Sequence, residues 1–109
     1  MSDGPFTRVA KLDEVPPGTI IEVEFGGEPY AICNVDGHVR ALFGECPHEG
    51  GPLGQGVLEG PLISCPWHCW QFDSLTGVCI MGDDVVLETY PVKIEGGDIL
   101  VQLPMPKNA

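Results

Sequence analysis

The chain has 109 residues, 43% of them apolar, with 16 acidic against 5 basic side chains and a net charge of −11. That length supports one small domain but not two. No apolar run approaches the ~20 residues of a membrane span. So acidic a chain also argues against nucleic acid and anionic membranes as partners, because a binder of phosphates must supply cations.

The opening "MSDGPFTRVA" lacks both the basic and the apolar regions of a signal peptide, so a cytoplasmic location is expected. "KLDEVPPG" (11–18) offers a single helical turn before Pro16 and Pro17 stop it. Short runs rich in Val, Ile, Phe and Tyr follow: "TIIEVEF" (19–25), "YAICNV" (30–35) and "VRALF" (39–43). "IEVEF" alternates apolar and acidic residues, as a half-buried strand does. Beyond the middle third come "LETYPVKI" (87–94) and "ILVQL" (99–103). Gly26-Gly27, Asp36-Gly37 and Gly96-Gly97 punctuate these runs, the last two between runs that read as hairpins. The pattern predicts an all-β domain, an antiparallel sandwich or barrel of short strands.

Residues 44–80 differ. They hold four of the five cysteines, two of the three histidines and a cluster of glycines. Such a stretch reads as too turn-rich for sheet core. It predicts an inserted loop-and-hairpin subdomain on a base of about 1–43 and 81–109, ordered by something other than apolar burial. Five cysteines cannot all pair, and in a reducing cytoplasm they serve as metal ligands or as buried small side chains.

Two loops carry the chemistry. Cys46-Pro47-His48 is followed, sixteen residues later, by Cys65-Pro66-Trp67-His68. Two thiolates and two imidazoles can make a tetrahedral zinc site. Zinc fingers usually place like ligands together, however, and a single residue between Cys46 and His48 is tight for two ligands on one ion. Alternating Cys and His across two loops suits a two-iron cluster, one iron taking both cysteines and the other both histidines.

The pattern Cys-x-His-x16-Cys-x2-His resembles that of Rieske [2Fe–2S] proteins. "QFDSLTG" (71–77) resembles the strand and turn that close the family's second cluster loop. "LETYPVKIEGGDILVQL" (87–103) is similar to the closing hairpin of Rieske-type ferredoxins of bacterial ring-hydroxylating oxygenases. The resemblance implies a Rieske-like β-sandwich holding one [2Fe–2S] cluster. Cys46 and Cys65 would bind the inner iron, and His48 and His68 the outer iron near the surface. Gly50 and Gly51 would let backbone N–H groups approach the sulfides. Cys69 then reads as a small core hydrophobe, Cys33 as strand core and His38 as an exposed turn residue, while Cys79 has no assigned role. Trp67 either shields the cluster and meets a partner or anchors its loop, and Trp70 packs inward with Phe72.

The resemblance further implies an electron carrier, not an enzyme. An oxygenase centre needs a mononuclear iron with two histidines and a carboxylate, and His38 alone cannot build one. No flavin or nicotinamide fingerprint is present. The expected partners are a flavin-containing reductase and a terminal oxygenase acting on an aromatic ring, docking near Trp67, His48 and His68. The alternatives are a small Rieske-fold subunit of a nitrite-reductase-like complex and a zinc-bound interaction module. Respiratory Rieske proteins add a cysteine to each loop, where this chain has Gly51 and Trp67. They also place serine and tyrosine hydroxyls where it has Trp70 and Phe72. Fewer donors to the cluster predict a potential near the low end of the Rieske span, ~−150 to +300 mV.

Overall fold

The computed structural model describes residues 6–45, 51–66, 70–80 and 85–103. Within them the strands are β1 (Phe6–Lys11), β2 (Ile20–Phe25), β3 (Glu28–Val35), β4 (His38–Phe43), β5 (Val57–Glu59), β6 (Leu62–Ser64), β7 (Gln71–Asp73), β8 (Thr89–Tyr90), β9 (Val92–Glu95) and β10 (Asp98–Gln102). They form three antiparallel sheets, ordered β1-β10-β9, β2-β3-β4-β8 and β5-β6-β7. The helical signal at 11–18 appears as one 3₁₀ turn, Leu12–Glu14, with the Glu14 carboxylate accepting the Lys11 backbone N–H at 2.8 Å. No helix among the described residues is long and apolar enough to cross a membrane.

Local chemistry sets the hairpins. Asp36 (φ 53°) and Gly37 (φ 94°) both sit in the left-handed region, which gives a turn whose twist matches that of the flanking strands. The side chain of Asn34 reinforces it by accepting the Gly37 N–H at 2.7 Å. Gly96-Gly97 closes β9 onto β10 in the same way. So does Gly26-Gly27, which pairs Phe25 with Glu28 in a hairpin that its sequence had not marked.

The second sheet is the middle layer. Along β3 the five residues Tyr30–Asn34 are all buried, and alternate side chains go to opposite faces. Tyr30 and Ile32, with Ala41 and Tyr90, meet Ala10, Ile99 and Val101 of the first sheet. Ala31 and Cys33, with Leu42, face Leu53, Ile63, Cys65, Phe72, Cys79 and Leu87. Burial on both faces explains why "YAICNV" is a continuous apolar run without alternation. Two cores result, and the second contains Cys65.

Three expectations need correction. "LETYPVKI" is not one strand: Pro91, which lacks an N–H for a ladder, separates β8, paired with β4, from β9, paired with β10. Phe6–Lys11, unmarked by its sequence, pairs with β10. Residues 44–80 do contain sheet, and that sheet buries Ile63 and Phe72 completely. Apolar burial therefore does order this region. Its strands are three residues long, too short for their alternation to stand out from the surrounding turns.

Candidate metal centre

Both candidate loops are held at their bases by backbone bonds. At the first, the Leu53 N–H donates to the Gly44 carbonyl at 2.9 Å, and Glu45 bridges Pro52. Between these flanks in sequence lie Cys46 and His48, which are outside the described residues, as are Pro47 and Gly50. At the second, the Cys65 N–H donates to the Trp70 carbonyl at 2.7 Å, tying together the two ends of "CPWHCW". Trp67, His68 and Cys69 lie outside the described residues.

The two bases meet. Leu53, on the first, and Cys65, on the second, belong to one buried cluster, with Ile63, Phe72 and the partly buried Trp70. Val57 pairs with Ser64, so the chain leaving the first loop runs beside the residue preceding Cys65. Gly56 makes this approach possible, because a Cβ there would collide with the Ser64 carbonyl oxygen. Gly51, expected to approach a cluster, is buried in the same stretch.

Cys65 is 1% exposed and is the one candidate ligand within the described residues. Among those residues no three His, Cys, Asp or Glu side chains come together. The donor chemistry still fits an iron–sulfur cluster. Thiolate sulfur binds iron, and the apolar cluster of Leu53, Ile63 and Phe72 would keep water from a metal held at Cys65. Phe72 presents no hydroxyl to that shell.

Of the remaining cysteines, Cys33 and Cys79 are described. Cys33 is fully buried on β3. Burial pushes its thiol up to about 11, with the nearby Arg40 guanidinium and the Ser74 hydroxyl pulling the other way. Such a thiol is inert as a nucleophile at neutral pH. Cys79 is buried opposite Phe72, in the cluster that contains Cys65, a proximity its sequence position alone did not establish. His38 is exposed at the start of β4. Sequence reasoning missed the Arg40–Ser74 bond (3.0 Å), which ties β4 to the turn after β7 across 34 positions, and no local signal marks so distant a pair.

A fold of three antiparallel sheets with paired Cys/His loops defines a small iron–sulfur domain. The Rieske [2Fe-2S] domain model matches residues 6–91, so the chain belongs to that family, whose cofactor is one Rieske-type [2Fe–2S] cluster. It is 38% identical over 98 residues to the biphenyl dioxygenase ferredoxin subunit of Pseudomonas sp. (strain KKS102), covering 88% of this chain and 90% of the relative. It superposes on the ferredoxin of Sphingomonas yanoikuyae B1 with a TM-score of 0.83 and 30% identity, covering 92% of this chain and 100% of that one. A structure of reduced oxygenase in complex with oxidized ferredoxin, in carbazole 1,9a-dioxygenase, contains a chain that matches with a TM-score of 0.82 and 29% identity, over 89% of this chain and 92% of that one.

Proposed function

We propose that this protein is the ferredoxin of an aromatic-ring-hydroxylating oxygenase system, carrying single electrons from a flavin-containing reductase to a terminal oxygenase and catalysing nothing by itself. The observation that carries the reading is the full-length likeness to ferredoxin components, together with all four donors at Cys-x-His-x16-Cys-x2-His. When bound, the cluster takes up and gives up one electron. Cys46 and Cys65 would hold one iron, and His48 and His68 the other. Cys65, buried among apolar side chains at the end of β6, would supply its thiolate from a dry pocket, and the backbone bonds that close the two loop bases support this reading.

We assign residues 44–80 to the cluster-carrying part and 1–43 with 81–109 to its base. In support, β5, β6 and β7 all fall in the first part, and β2, β3 and β4 in the second. Docking uses the surface near Trp67, His48 and His68, where an electron has the shortest route to the histidine-bound iron.

Iron and sulfide analysis with a visible spectrum tests the reading: two irons and two sulfides per chain are expected, and stoichiometric zinc without visible absorbance would overturn it. Trp67→Ala should slow electron transfer to the oxygenase with the cluster spectrum nearly intact. Protein-film voltammetry at neutral pH should place the midpoint near the low end of the ~−150 to +300 mV span. The reasons are that Phe72 offers no hydroxyl beside Cys65 and that acidic residues disfavour added negative charge. A midpoint well above roughly +100 mV contradicts the assignment to an oxygenase system.

A further inference from the structure

The third sheet extends beyond its three named strands. Phe72 pairs with Cys79 and Val78 with Val86, so residues 78–80 and 85–87 continue the sheet past β7. Alternation then assigns the faces. Ile63, Phe72, Cys79 and Leu87 point into the core, while Val78, Ile80 and Val86 stand on the outer side. Val57 stands on that side too, across Ser64 and Gln71, whose side chains are hydrogen-bonded at 3.3 Å. Leu75 projects from the turn that follows β7.

These five are 42–63% exposed, and among the described residues the only other large apolar side chain so exposed is Ile94, on the first sheet. Scattered exposed apolar residues are ordinary, but a group confined to one sheet face marks an interaction surface. The charges of this half of the chain indicate its occupant. Between Arg40 and Lys93 there is no lysine or arginine, whereas Glu45, Glu49, Glu59, Asp73, Asp83, Asp84 and Glu88 all fall there. Of the described cations, Arg8, Lys11 and Lys93 belong to the first sheet, and Arg40 bonds Ser74. Register puts Glu59 and Asp73, paired through Leu62 two positions from Val57 and Gln71, on this outer side, so a second copy of the face would be repelled, and an anionic lipid surface likewise. The outer face ends at Ser64 and Gln71, one residue from the backbone pair Cys65–Trp70 that closes the second loop.

We propose that the outer face of the third sheet, centred on Val78, Ile80 and Val86, is a docking surface for a redox partner protein whose own patch is apolar and ringed by lysine and arginine. This rests on the ferredoxin reading and widens it, because the face runs down the side of the sheet from the Cys65–Trp70 pair. Apolar contact supplies the adhesion, and the acidic surround steers the approach.

The test uses holoprotein with the reductase and the terminal oxygenase that serve the KKS102 biphenyl ferredoxin. A Val78→Lys/Val86→Lys double variant changes exposed positions only, and its visible spectrum and Tm check that cluster and fold persist. By stopped flow, its second-order rate constant with at least one of the two components should fall roughly tenfold or more, while Ile94→Lys stays within about twofold of wild type. Val78→Thr/Val86→Thr, which adds no charge, should also slow the reaction, separating lost apolar contact from the introduced cations. The face is disproved alone if wild type reacts with a component and both double variants keep its rate. It is disproved also if sedimentation shows a wild-type dimer that the lysines split, since the face then joins two copies. If wild type reacts with neither component, the ferredoxin reading fails and takes this inference with it.

Discussion

The first two sheets and the third achieve order by different means. In the former, strands of up to eight residues are joined in hairpins by two-residue turns at positive φ. In the latter, strands of three residues are joined by the Gly60-Pro61 turn and by residues 65–70, and the sheet is secured by what it rests on: Ala31, Cys33 and Leu42 of the middle layer. A long hairpin specifies its register locally. A short strand cannot, and it depends on non-local burial. The third sheet therefore rests on an apolar core shared with the middle layer, and a bound cluster would add a second support.

The sharpest way to break this comparison is to remove the metal alone. His48→Ala, His68→Ala or Cys65→Ala should abolish the cluster, read as loss of iron, sulfide and visible absorbance. A region ordered by something other than apolar burial would then become open to proteases. The buried Ile63 and Phe72 predict instead that β5–β7 keep their hydrogen-exchange protection. Loss of protection confined to that sheet would show that the metal is its main support.

Removing the shared core is the reverse experiment. Phe72→Ala should cost about 3–5 kcal/mol in denaturant unfolding and Ile32→Ala about 2–5 kcal/mol. Phe72→Ala should also lower iron content, because Phe72 packs in the cluster that holds Cys65. Ile32→Ala, on the opposite face of β3, should leave iron content unchanged at temperatures where the protein stays folded.

Gly56→Ala probes the contact between the two loops. Forcing a methyl against the Ser64 carbonyl should cost roughly 1–3 kcal/mol. The damage should centre on β5–β6 pairing and appear as a lower Tm with weakened cluster retention.

The smallest effect concerns pH. Burial raises the Cys33 thiol from 9.0 to about 11, so the folded state holds its proton where the unfolded state releases it. Stability from this group is complete below pH 9 and is lost as pH rises toward about 11, by up to ~3 kcal/mol. Tyr30 and Tyr90, also raised chiefly by burial, act in the same direction. Tm against pH should therefore fall on the alkaline side, and near-isosteric Cys33→Val should flatten part of the fall. An unchanged slope would place the alkaline loss on the tyrosines.

Much of the molecule was legible because its signals are local. Asp36-Gly37 and Gly96-Gly97 specify their turns through φ alone, and "IEVEF" declares a half-buried strand through alternation. The family was legible in the Cys-x-His-x16-Cys-x2-His pattern, because thiolate and imidazole at that spacing serve few other purposes. Trp70 and Phe72 were expected to pack together and lie in one apolar cluster, and Cys33 was expected in the core and is buried there.

What the tertiary structure alone decided is which layers touch. "YAICNV" has no alternation to show that Ile32 faces the first sheet and Cys33 the third, because burial on both sides erases the pattern. "LETYPVKI" reads as one run, yet its halves join different sheets at Pro91, since pairing partners lie far away in sequence. Nor does any local feature show that Val78 and Val86 stand side by side on an exposed face. That depends on a bridge across eight residues, and hydrophobicity read along the chain does not distinguish an apolar side chain turned inward from one left outside.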